Sequence, residues 1–327
     1  FNDEDFNSDQ TGIYVEGTNG VSGNCVDYPV NWNQDWERKI YFEYFDASKK
    51  RQVGANGGVQ LVGGCSRQWN QKSLGLRTRD EYEDQNFDYH YFPNRTYTES
   101  TGLVLRNSGN DWCYSQIRDA LTHMIIKDVM DIEWRDVSPA VTFLNGEYWG
   151  FYNIREKQDA DYVATLFPGV DDDNVDFIKV TGDNPMEVKD GDASHYEALM
   201  AYIESQDLSQ NSSYEYVKTQ MDVNEYINYQ ITEIWVSNGD WPGNNISLWR
   251  EKSATGKWRW ILYDTDFGFG IWGRSASENN LSAALSSSGP EWPNPPWSTL
   301  LFRTLMKNAD FKNEFIQRYS IHLNSTF

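Results

Sequence analysis

The periodicity of the chain changes along its length, and that change sets the fold class. Up to about residue 105 it reads in short alternating or β-branched and aromatic segments bounded by Gly, Asn and Asp: GIYVEG (12–17), WERKIYFEYFD (36–46), GGVQLVGG (57–64), KSLGLRTR (72–79) and STGLVLRN (100–107). From Asp111 helical spacing appears, with Ile117, Leu121, Met124 and Ile125 marking a first long helix over 115–129 that Asp111 or Ser115 would cap. AVTFLNGEYWGFYNI (140–154) then holds two apolar runs joined by Asn145-Gly146, a pair suited to a type I′ hairpin turn. A short helix from about Ala160, a strand DFIKV and three helical stretches between 194 and 238 come next, then a small hairpin, ISLWRE and KWRWILY. Residues 271–297 are rich in Ser, Asn, Gly and Pro and read as a long loop before helix resumes. Segregated strands and helices make this an α+β chain. Its predicted parts are a β-rich N-terminal lobe with one main helix, 1–158, and a mainly helical C-terminal lobe, 159–327.

Composition narrows the partners. With 327 residues the chain can bury a real core, and a net charge of −21 argues against nucleic acid, which needs Lys and Arg on its phosphates. Aromatic residues at 15% place that acidity on a folded surface. No apolar run reaches the roughly eighteen residues of a membrane span. Cys25, Cys65 and Cys113 show no zinc spacing and leave their pairing open. The chain begins at Phe1, so any signal peptide is absent from it, and its acidic, aromatic, Asn-rich surface predicts an extracellular, periplasmic or cell-surface location.

The chemistry concentrates in residues 237–270. Phosphoryl transfer needs a carboxylate near the attacking hydroxyl, oxygen ligands for Mg²⁺ and a cation on the phosphates. DWPGNN supplies Asp240 and, five residues on, Asn245, the spacing of a catalytic Asp and a metal-binding Asn. The next hairpin ends in Asp264-Thr265-Asp266, the second Asp heading a literal Asp-Phe-Gly. Acids gathered this closely repel unless a cation sits among them, which predicts a divalent metal held by Asn245 with Asp264 or Asp266. In the N-terminal part, Gly63-Gly64 offers a turn able to approach phosphates with Lys72 beginning the next strand and pointing at them, although without GxGxxG spacing an ordinary hairpin with a solvated Lys is the commoner outcome. Asp119 and Asp128 are the acids on hand as a partner for Lys72. Glu156 comes after the NGEYWG hairpin, where a nucleotide-edge or bridging role competes with a plain surface salt bridge.

The stretches GGCSRQWNQKSL, LRNSGNDW followed by IRDAL, FLNGEYWGFYNIREK, GDWPGNN and WRWILYDTDFGFG make the chain resemble the spore-coat-protein-H (CotH) family of atypical kinases, from about Gly12 onward. The resemblance implies a bilobal protein-kinase-like fold that binds ATP and Mg²⁺ and phosphorylates protein Ser/Thr, with autophosphorylation among its activities. It implies that Lys72 contacts the nucleotide phosphates with Arg67 as loop companion, that Asp240 is the catalytic base, and that Asn245, Asp264 and Asp266 are the metal group. Arg106, Asn110 and Asp111 would hold the lobe together. The acceptor is a protein or a small hydroxylated molecule. The competing expectation is an exported non-catalytic module whose Trp241, Trp292 and Trp297 line a cleft for glycan or protein. A metal-dependent hydrolase fits less well, because His90, His123, His195 and His322 lie away from the acids.

Overall fold

In the computed structural model, which describes residues 1–82, 85–181, 186–275, 277–287 and 294–327, the chain divides into two units, 1–116 with 136–157 and 117–135 with 158–327. The class is mixed α+β. In the first unit a short helix α1 (Asp3–Asn7) precedes a two-stranded pair, β1 (Val21–Gly23) and β2 (Val26–Val30). A six-stranded antiparallel sheet then forms from β3 (Arg38–Phe45), β4 (Arg51–Val62), β5 (Ser73–Arg77), β6 (Gly102–Arg106), β7 (Val137–Leu144) and β8 (Glu147–Glu156), in the order β3-β4-β5-β6-β8-β7. Four of the five sequence segments became strands. GIYVEG did not: Ile13 and Tyr14 are buried from an irregular strap, and the Tyr14 hydroxyl accepts the Lys72 backbone N–H at 2.7 Å.

The β7–β8 hairpin turns at Asn145-Gly146, with φ of 48° and 88°, as both positions of a type I′ turn require. Cys25 pairs with Cys65, which joins the β1–β2 turn to the segment after β4 and leaves Cys113 free and exposed. Closing 40 residues restricts the unfolded chain by about 4 kcal/mol on the loop-entropy account.

The second unit begins with α2 (Arg118–Ile126), shorter than the sequence suggested and rotated so that of the expected face Ile125 packs on the core but Ile117 and Leu121 do not. Ile117 and Leu121 are exposed, while Asp119, Thr122, His123 and Ile126 are buried. Ile126 joins Met130 and Ile132 in the second unit's core, so this helix belongs there and not in the β-rich half. After α3 (Ala160–Leu166) come β9 (Val175–Val180) and β10 (Glu187–Asp190), then α4 (Ser194–Ser205), α5 (Asn211–Gln220) and α6 (Val223–Val236). The expected small hairpin, β11 (Ile246–Glu251) and β12 (Arg259–Ile261), is half of a four-stranded antiparallel sheet ordered β10-β9-β11-β12. Within 271–297 the described residues include a one-turn helix, α7 (Asn280–Ala284), and Trp292 lies outside the described residues. The chain closes with α8 (Leu300–Leu305) and α9 (Ala309–Ser325), separated at Asn308, whose side chain caps α9.

Helix α6 is buried on all sides, 12 of its 14 residues included, and Asp222 caps it. Its Glu225 accepts the Trp260 N–H at 2.9 Å, which ties α6 to β12. Beside it Arg259 donates to Glu133 at 2.6 Å, Asp222 at 2.6 Å and Asp131 at 2.7 Å. Burial pushes the Glu225 carboxyl up and Glu133 to about 7, with Arg259 pulling both down. Replacing Arg259 by Met strands these carboxylates and is expected to cost about 3–5 kcal/mol, read as a lower urea midpoint. Acids with raised folded pKa values add stability that is lost as pH rises through them, so the deficit should be smaller at pH 5 than at pH 8. Glu133→Gln in the same chain should restore part of it.

Candidate active site

Helix α6 ends at Val236, and Ser237, in the left-handed region at φ 57°, turns the chain into Asn238-Gly239-Asp240. Asn238 organises this loop. Its Oδ1 accepts the Asp240 N–H at 3.1 Å, and its Nδ2 donates to buried Glu233 at 2.9 Å and reaches the Asp264 carbonyl at 3.5 Å. One amide thus links the end of α6 to both acidic loops. Gly239 N–H donates to Phe267 O at 3.2 Å, and a Cβ at that position would fall 2.6 Å from the Phe267 ring and 1.5 Å from the Arg274 guanidinium.

Asp240 Oδ2 accepts from Asn245 Nδ2 at 2.8 Å and Asn244 Nδ2 at 3.1 Å. Its Oδ1 is buried and meets no donor among the described residues. Burial and the neighbouring Asp264 charge push the Asp240 carboxyl up to about 7, against the pull of Asn244 and Asn245. Burial likewise raises Glu233 to about 8, with Asp119, Asp264 and Asp240 adding to it and Asn238 opposing. Strand β12 leads to Asp264, left-handed at φ 53°, as is Asn245 at 56°. The turn is held from α2, where Asp119 accepts the Thr265 N–H at 3.0 Å, and Phe269 N–H returns to Val236 O at 2.7 Å. Asp266 is buried at 2% exposure.

The structure therefore gathers Asp240, Asn245 and Asp264, with Asp266 in the same turn. Among the described residues no cluster of three or more His, Cys, Asp or Glu side chains is arranged to hold an ion alone. Mg²⁺ fits such a set better than a caged ion does, because it takes one or two protein carboxylates and fills its octahedron with water and phosphate. Sequence reasoning missed Glu233 and Asn238. Glu233 sits in an apolar helix end where periodicity gives no sign of a role, and Asn238 occupies the place where a protein kinase carries His-Arg.

Residues of the first unit sit in local networks of their own. Gly63, at φ 100°, and Gly64 lead into the short turn Cys65–Gln68. Arg67 donates to Gly63 O at 2.6 Å and Trp32 O at 3.1 Å. Lys72 is 3% exposed, its Nζ donating to Arg67 O at 2.6 Å and Trp69 O at 2.9 Å and lying 4.2 Å from the centre of the Trp32 ring. To meet a phosphate it would have to exchange these carbonyls for phosphate oxygens. Glu156, 3% exposed, is a buried ion pair and not a surface one: it accepts from Arg95 Nε at 2.7 Å and Nη2 at 2.9 Å, from the Tyr97 hydroxyl and from the Asp136 N–H at 2.6 Å. Within LRNSGNDW the bonds to Gln71 and Ser73 come from residues other than the three expected: Asn107 bonds to Ser73 Oγ and Gln71 O, and Trp112 to Gln71 Oε1. Asp111 fixes its turn through Ser115.

Burial lowers the Lys72 amine to about 8, opposed by the Glu16 charge. Between that value and the free-lysine range the unfolded chain holds a proton the folded chain has lost, so this residue's contribution to stability rises with pH through the window. From pH 7.5 to 9.5 the parent should gain about 2 kcal/mol over Lys72→Met in urea unfolding. Parallel midpoints for the two proteins would refute the lowered amine.

No curated protein matches the chain significantly. The profile of the family described as CotH kinase protein matches residues 59–327, most of the chain and every site residue above. The protein is a member of the CotH kinase family.

Proposed function

We propose that the protein is an ATP- and Mg²⁺-dependent phosphotransferase on a bilobal protein-kinase-like fold, with a protein Ser/Thr hydroxyl as acceptor. The observation that carries this reading is Asp240: one carboxylate oxygen is clamped by Asn244 and Asn245, and the other is buried with no donor among the described residues. An acceptor hydroxyl admitted to this buried oxygen by a local opening of the loop would supply the missing donor, and the carboxylate would orient it and take its proton. Asn238 holds the loop so that this oxygen stays fixed. Asn245 with Asp264 or Asp266 would hold Mg²⁺, and the ion would supply charge neutralisation on the transferring phosphoryl group. Arg67, Lys72 and the Gly63-Gly64 turn are proposed as phosphate contacts on their motif. The Cys25–Cys65 disulfide supports an extracellular, periplasmic or cell-surface location.

A second reading, an exported non-catalytic module for glycan or protein, draws on the aromatic cavity that Trp241 and Trp297 line. A thermal-shift comparison separates the two: ATP with Mg²⁺ should stabilise the parent and oligosaccharides should not, the reverse favouring the module.

Asp240→Asn should reduce transfer from radiolabelled ATP, to itself or to a protein acceptor, by at least about 100-fold. Its thermal midpoint should hold or rise, because the exchange removes a poorly satisfied buried charge. A variant that labels as fast as the parent overturns the assignment. Asp264→Asn should abolish the Mg²⁺-dependent part of the ATP thermal shift.

A further inference from the structure

Asp240 is followed directly by a cavity that phosphate transfer leaves unexplained. It encloses about 500 Å³ within the second unit, between α4, α6, β11, β12 and α8. That volume lies in the range of small-molecule sites. Trp241 and Trp260, 5% and 2% exposed, are buried beneath it, and Trp297, 38% exposed, stands at its lip. The Trp241 ring is pinned, its Nε1 donating to Tyr229 OH at 3.1 Å.

The polar part of the lining has one sign. Glu197 and Glu204, both exposed on α4, supply carboxylates, and none of the described lining residues is basic. Gln230 of α6 also lines it, 3% exposed, with an amide oxygen that is buried and meets no donor among the described residues. A nucleotide or other phosphate finds no cation here. A purely apolar guest would take water from two carboxylates. What the walls lack is a cation that donates hydrogen bonds and carries an apolar body, the guest that aromatic faces and carboxylates bind together.

We propose that this cavity is a binding site for a small organic ammonium ion with an aromatic or aliphatic body, separate from the site for the transferred phosphate. The ammonium end meets the carboxylate of Glu197 or Glu204, and the body lies against the Trp rings. The site does not depend on phosphotransfer: a chain that binds the amine and transfers no phosphate keeps this inference and loses the other.

The test titrates the full chain, without nucleotide, by calorimetry and intrinsic Trp fluorescence. The probes are phenethylammonium, its neutral analogue 2-phenylethanol, the anion phenylacetate, and maltose. Saturable binding of phenethylammonium at least tenfold tighter than 2-phenylethanol, with no binding of phenylacetate, is expected. The double variant Glu197→Gln/Glu204→Gln, at exposed positions, should keep the parental thermal midpoint and lose the tenfold preference. Equal binding of amine and alcohol, binding of maltose alone, a charge preference that survives the double variant, or no saturation by any probe would each overturn the proposal.

Discussion

A helix buried on every side has no water to satisfy its polar groups, so each carboxylate on α6 must be met by another element. That constraint shapes the second unit. Glu225 is met by the Trp260 N–H, which registers β12 against the helix, and Glu233 by Asn238, which folds the chain back just past the helix end. Since Asn238 also binds the Asp240 N–H and approaches the Asp264 carbonyl, the satisfaction of one buried acid sets the spacing of both acidic loops.

The same constraint accounts for the electrostatics of the site. Asp240, Asp264, Asp119 and Glu233 bear on one another inside the protein, and burial with mutual repulsion raises the carboxyls of Asp240 and Glu233. Left-handed backbone at Ser237, Asn245, Asp264 and Phe269 adds local cost in the same two loops. A fold optimised for stability alone would hold fewer acids here. The surplus is borne by the Arg259 knot and the densely aromatic core around it.

Much of the fold was legible because the signals were local. Period-two runs with Gly boundaries marked β3 to β6, and Asn145-Gly146 marked its hairpin. Legibility failed where tertiary packing overrode the local pattern. The segment GIYVEG has strand composition but finds no sheet edge, and α2 buries Asp119 and His123, which accept the backbone N–H groups of Thr265 and Arg135. The acidic cluster was readable from spacing, since its residues lie on two loops joined by one hairpin. The networks of Lys72 and Glu156 were not, because Trp32 and Arg95 come from separate segments that no spacing rule connects.

Gly239 carries a consequence for how this protein can change over time. Its bare α-carbon is where the Asp240 loop and the Phe267 segment touch, with Arg274 pressed against the same spot. A side chain there would have to displace the Phe267 ring and the end of the Arg274 side chain while leaving every acid of the site in the sequence. Lineages that gained a residue at 239 would therefore keep the composition of the site while changing what packs between its two loops.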